Sequence, residues 1–173
     1  EGEREIQAAL KASNRCWAEF PYYERRYGDR GKHFSDSDTC WLVTLTALNQ
    51  ESMQKQIDWL CRVLATRGMP SLMLEHTLRF LYEELAAAVP ENRVRYEKLR
   101  TSADILKEAR GELLREKEFQ SLAAEFEQVS GSEMDDTLKN TGKLLVAAVA
   151  DEKNGIAGSV AALQGWLSDA DRF

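Results

Sequence analysis

Residues 49–70 read NQESMQKQIDWLCRVLATRGMP, and the fold is decided by this stretch. Met53, Ile57, Leu60 and Leu64 recur at i, i+4, i+7 and i+11, which places them on one stripe of an α-helix. Asn49 stands where an N-cap is needed, because its side-chain oxygen can accept from an unpaired N–H of the first turn. Gly68 stops the helix, since a left-handed residue costs little there. Pro70 suits the first turn of another helix, where its missing N–H would have had no partner.

The same period extends in both directions. Toward the amino end, Ile6, Leu10, Trp17 and Phe20 share a stripe ended by Pro21. A short helical piece over 22–27 closes at Gly28, 29–34 reads as a loop, and Ser35 with Asp38 forms a capping box for a helix through Trp41, Leu45 and Leu48. Toward the carboxyl end, Leu74, Leu78, Leu81 and Leu85 line a helix that breaks at Val89 and Pro90. A helix over 91–110 follows with Val94, Leu99, Ala103 and Leu106 inward. Gly111 costs about 1 kcal/mol relative to Ala inside a helix, so it marks either a break or a weak point. A further helix runs to about Val129. Ser130, Gly131 and Ser132 then offer a linker, and Ser132 with Asp135 a cap. Met134, Leu138, Leu145 and Val149 line the next helix, Asn154 and Gly155 interrupt it, and Ile156, Val160, Leu163 and Leu167 line the last. The expectation is an all-α protein of seven to nine helices.

Composition agrees with that class. The 173 residues include 43% hydrophobic and 30% charged side chains, the balance of a soluble globular chain. The longest apolar run, 144–150, falls far short of the roughly 20 residues of a membrane helix, so no membrane is expected as a partner, and no signal peptide is visible. Of 29 acids and 23 bases, residues 1–110 hold 17 of each, leaving the whole net charge of −6 on 111–173. Two units are expected on that basis, 1–110 and an acidic helical extension over 111–173 packing on or beside it. Nucleic acid is disfavoured as a partner because a phosphate backbone needs a basic face. Cys16, Cys40 and Cys61 match neither a paired disulfide framework nor a C-x-x-C zinc spacing, and free thiols in a reducing cytoplasm fit best.

Catalytic motifs are lacking. There is no G-x-S-x-G, P-loop or G-x-G-x-x-G run, and the carboxylate pairs Glu83–Glu84 and Asp135–Asp136 read as solvated helix faces. A non-enzymatic protein without a metal site follows as the expectation. Leu72 precedes His76 by four residues, the spacing of a globin proximal histidine, which makes a haem-binding globin or gas sensor one alternative. Helical-wheel arithmetic instead puts His76 about 160° from the leucine stripe, on a solvated face with Arg79 and Glu83. Trp17 and Trp41 lie on core stripes. Trp59 lies about 120° off its own stripe, as either a second-layer contact or an interface anchor. Arg25, Arg26, Arg30 and Lys32 form the local basic cluster, read as a solvated loop or as a contact for an anionic partner.

Taken together, residues 14–110 resemble a phycobiliprotein, a bilin-carrying relative of the globins. Phe20–Pro21 resembles the close of a helix before a loop in those proteins. Asp38 followed by Trp41, Leu42 and Leu45 resembles their chromophore helix. The run Gly68, Met69, Pro70, Ser71 with Leu78, Phe80 and Leu81 resembles a later loop and helix, and Val89, Pro90 and 96–106 their final helix. The family's bilin-attaching Cys and its neighbouring Arg are replaced here by Ser35 and Ser37. The resemblance therefore implies a globin-like fold without covalent chromophore, with Asp38, Trp41 and His76 as cofactor-site residues. It further implies a transient bilin as ligand, a bilin-pathway protein as partner, and a possible homodimer. A pure interaction scaffold working through Trp59, Arg25 and Arg26 is the third expectation.

Overall fold

In the computed structural model, which describes residues 2–130 and 136–169, the chain runs through eight α-helices. They are α1 (Glu3–Glu19), α2 (Tyr22–Leu45), α3 (Gln50–Ala65), α4 (Ser71–Ala88), α5 (Arg93–Leu113), α6 (Glu116–Ser130), α7 (Thr141–Lys153) and α8 (Ser159–Leu167). Single 3-10 turns over Pro90–Asn92 and Asp136–Leu138 join neighbours. No strand occurs among the described residues. The linker residues Gly131 and Ser132, the Ser132–Asp135 cap and Met134 lie outside the described residues.

Local signals account for several boundaries. The Asn49 side chain accepts from the Ser52 N–H at 2.8 Å, capping α3. Gly68 takes φ +74° between α3 and α4. Val89 and Pro90 separate α4 from α5, because proline cannot continue the helix.

Helix α4 is the central element, packed against α1, α2, α3, α5 and α7. Its Leu72, Met73, Leu74, Leu78, Leu81 and Leu85 are all buried, so it is apolar on more than one face. One core cluster joins α4 to Ala8, Ala9 and Ala12 of α1, the α3 stripe, and Tyr96, Leu99, Ala103 and Leu106 of α5. A second joins Cys16, Trp17, Phe20, Tyr22 and Tyr23 to Phe119, Leu144, Ala147, Leu163 and Trp166. Residues of the acidic 111–173 segment thus share a core with the first two helices. Helices α6 and α7 approach so closely that a Cβ on Gly142 would lie 2.3 Å from the Ala123 carbonyl oxygen.

Buried polar groups cross-link the bundle. Glu75 of α4 accepts from Arg110 of α5 and, at 3.2 Å, from Arg79 on its own helix. Asp151 of α7 accepts from the Ser71 N–H at 2.7 Å and from its hydroxyl. Glu5 accepts from the Tyr96 hydroxyl and from Arg95. Nearer the surface, the partly exposed Glu83–Glu84 pair is held by Arg15 of α1, at 2.6 and 2.8 Å.

Several expectations need correction. Residues 29–34 are helical, not a loop: Gly28 alone absorbs the bend in α2, with φ 55° and ψ −156°, and the helix resumes at once. Ser35 is consequently mid-helix, its hydroxyl 3.1 Å from that of Ser13, and caps nothing. Of the two readings of Gly111, the break does not hold, because the residue lies within α5, which ends at Leu113. Ile6, Val94 and Val149 are exposed. Val94 falls two residues before Tyr96, about 200° round the helix from the face that α5 buries.

Candidate functional site

Because α2 is helical through 29–45, Phe34, Asp38 and Trp41 fall at i, i+4 and i+7 on one face. On α3, Gln56, Trp59, Leu60 and Val63 fall at i, i+3, i+4 and i+7 on one face as well. These two faces wall a trough of about 680 Å³, with Arg67 beyond the end of α3 completing it. That volume lies within the range of small-molecule sites. The Trp41 and Trp59 rings meet edge to face, with centroids 6.3 Å apart and planes at 73°. Trp59 is 51% exposed and Phe34 53%, so the aromatic surface of the trough is open to a ligand.

The trough continues inward, toward α4, as a narrow recess of about 110 Å³. Phe34, Asp38, Leu60, Leu64 and Arg67 line both spaces, so the two charged residues stand where trough and recess meet. Neither the Asp38 carboxylate nor the Arg67 guanidinium makes a hydrogen bond or close ion pair among the described residues. Burial pushes the Asp38 pKa above the ordinary aspartate value, and the Arg67 charge partly offsets that rise. A flat wall of indole, beside one carboxylate and one guanidinium that make no hydrogen bond within the described residues, can receive a planar group bearing both N–H donors and an anion.

Of the residues singled out from sequence, Asp38, Trp41 and Trp59 come together here. The others do not. His76 lies elsewhere on α4, half-buried, with its ring edge-to-face on Phe20 at 5.2 Å and on Phe80 at 5.9 Å. Its expected solvated face is therefore incorrect: α4 is enclosed by neighbours on several sides, and burial holds the imidazole pKa below the usual histidine value. Arg26 donates to the Tyr22 hydroxyl and, at 3.2 Å, to the Ala162 carbonyl, which ties α2 to α8. Arg25 is exposed on the same helical turn. Both lie in the helical stretch expected over 22–27, and Arg30 and Lys32 of the same cluster are helical too and not in a loop.

Phe34, Gln56 and Arg67, together with Met73 and Thr77 of α4 in the recess, were not singled out from sequence, and Leu74 was read only as a position of the core stripe. The i, i+4, i+7 spacing of Phe34, Asp38 and Trp41 is a signal for the first of these, hidden once 29–34 is read as a loop. Arg67 and the α4 residues carry no local signal, since only packing brings them to the groove.

No cysteine lines trough or recess. Cys16 and Cys61 are buried and their thiols are pushed up to about 12, while Cys40 is half-buried. No group of His, Cys, Asp and Glu that could hold a metal ion occurs among the described residues, and no described helix is long and apolar enough to cross a membrane.

Fold and groove together define an all-helical protein with an aromatic, charge-edged trough. No protein-family model, curated protein or solved structure matches the chain.

Proposed function

We propose that this protein is a non-enzymatic binding protein for a linear tetrapyrrole (bilin), held without a covalent bond, and that it acts as partner or chaperone in tetrapyrrole metabolism. The observation that carries this reading is the convergence of Asp38, Trp41, Trp59 and Arg67 on one groove with no thiol in its wall. In that groove the indoles offer stacking surface to a conjugated chain, Asp38 accepts from pyrrole N–H groups, and Arg67 meets a propionate. Release is possible because no thioether forms.

Titration with biliverdin, followed by its visible spectrum and by quenching of Trp fluorescence, tests the reading. Saturable binding at micromolar concentration is expected, weakened at least tenfold in Asp38→Asn through loss of a charged acceptor. No spectral change at those concentrations refutes it. A Soret band after addition of haemin that His76→Ala alters would replace it with the haem-globin reading.

The half-exposed Trp59 and Phe34 favour one second reading, a scaffold that docks partner chains through this rim. Light scattering of the wild type and of Trp59→Ala separates the two: a scaffold loses association while a ligand carrier stays unchanged in mass.

A further inference from the structure

We infer that the ligand of this groove carries a short apolar arm beside its charged groups, and that the recess between α2 and α4 is the specificity pocket for that arm. The inference rests on the groove being a ligand site. Its ground is the contrast between the two spaces, which share Asp38 and Arg67 at their junction but differ in what lies beyond it. Leu42, Met73 and Leu74 contribute apolar wall to the recess. Its threonines add no free polar group. The Thr39 hydroxyl donates to the Ser35 carbonyl at 2.7 Å, and that of Thr77 to the Met73 carbonyl at 3.0 Å. The Ser35 hydroxyl is engaged with that of Ser13, and Thr77 also meets the Cys16 thiol. The polar groups left to a ligand are therefore Asp38 and Arg67 at the mouth, and a polar arm reaching past them would lose its hydration and find no partner.

Size sets the second limit. About 110 Å³ is the volume of roughly four waters, which admits an arm of about three or four carbons and excludes a long chain. The ligand class is thus a planar conjugated anion with a short alkyl substituent, the plane on Trp41 and Trp59, the anion at Arg67, the alkyl group inside. Met73 and Thr39 are the residues that set how much of an arm fits.

Calorimetric titration of the full chain with 2-naphthoate, 6-propyl-2-naphthoate and 6-hexyl-2-naphthoate tests this. The propyl acid should bind about fiftyfold tighter than the parent, from burial of three carbons, and the hexyl acid no tighter than the propyl. Thr39→Met should erase the propyl advantage while leaving the parent acid unchanged. Met73→Ala should let the hexyl acid overtake the propyl, and it keeps the test intact if the first variant fails to fold. Equal affinities for all three acids in the wild type overturn the recess but leave the groove reading standing. Absence of binding by all three overturns the recess as well, while the biliverdin titration by itself decides the groove reading.

Discussion

Asp151 is the residue whose role is least visible from its neighbours in sequence. It reaches back 80 positions to accept from the Ser71 N–H and hydroxyl, and so caps the first turn of α4 from outside that helix. Burial raises its pKa above the ordinary 3.8, with the Ser71 hydrogen bonds pulling it partly back. The sign follows from linkage. A folded pKa above the unfolded one means that the folded chain binds the proton more tightly, so stability from this group is full below pH 3.8 and falls as pH rises through the folded pKa. Urea unfolding over this pH range should therefore show the advantage of wild type over Asp151→Asn shrinking as pH increases. Asp151→Ala should cost about 1–3 kcal/mol below pH 3.8, because the Ser71 N–H then loses its acceptor, and that cost too should shrink as pH rises. An advantage that is constant with pH contradicts the assignment.

At the scale of an element, Gly28 determines where the α2 face points. Its φ of 55° with ψ of −156° is a region essentially closed to residues with a Cβ. Nothing lies within 4 Å of where that Cβ would be, so the cost of Gly28→Ala is one of backbone conformation and not of a clash. Thermal unfolding of Gly28→Ala should show a loss of about 1–3 kcal/mol. Biliverdin affinity should fall with it, since straightening α2 would swing Phe34, Asp38 and Trp41 away from α3. A variant with unchanged stability and affinity would show that the bend is not needed. The helical period of 35–45 was legible from Trp41 and Leu45. The helix over 29–34 was not, because its polar residues carry no stripe and Lys32–Asp36, an i,i+4 ion pair, says nothing about a core.

The whole molecule is held by two cores, and the second is built from both ends of the chain. Phe20, Tyr22 and Tyr23 pack with Phe119, Leu144, Leu163 and Trp166. Charge asymmetry in the sequence suggests two units, yet these aromatics would face water if 111–173 were removed. A fragment of residues 1–110 should unfold in urea without a sharp transition and should bind anilinonaphthalene sulfonate, as expected of a chain that keeps its helices but loses specific packing. A cooperative transition at the full-length midpoint would instead mean that 1–110 is complete by itself.

The sequence alone determined that the chain is helical, where α3 and α4 begin, and that Trp59 stands off its own stripe, because spacing, caps and breakers act within a few residues along the chain. Which faces met was decided by the tertiary structure. His76 was carried into a ring of Phe20 and Phe80 that no local pattern announces, and Arg67 was brought to Asp38 across a turn. A binding groove is a property of the gap between two helices, and a gap is set by the side chains of the helix beneath it, here α4, whose position the periodicity of α2 and α3 does not contain.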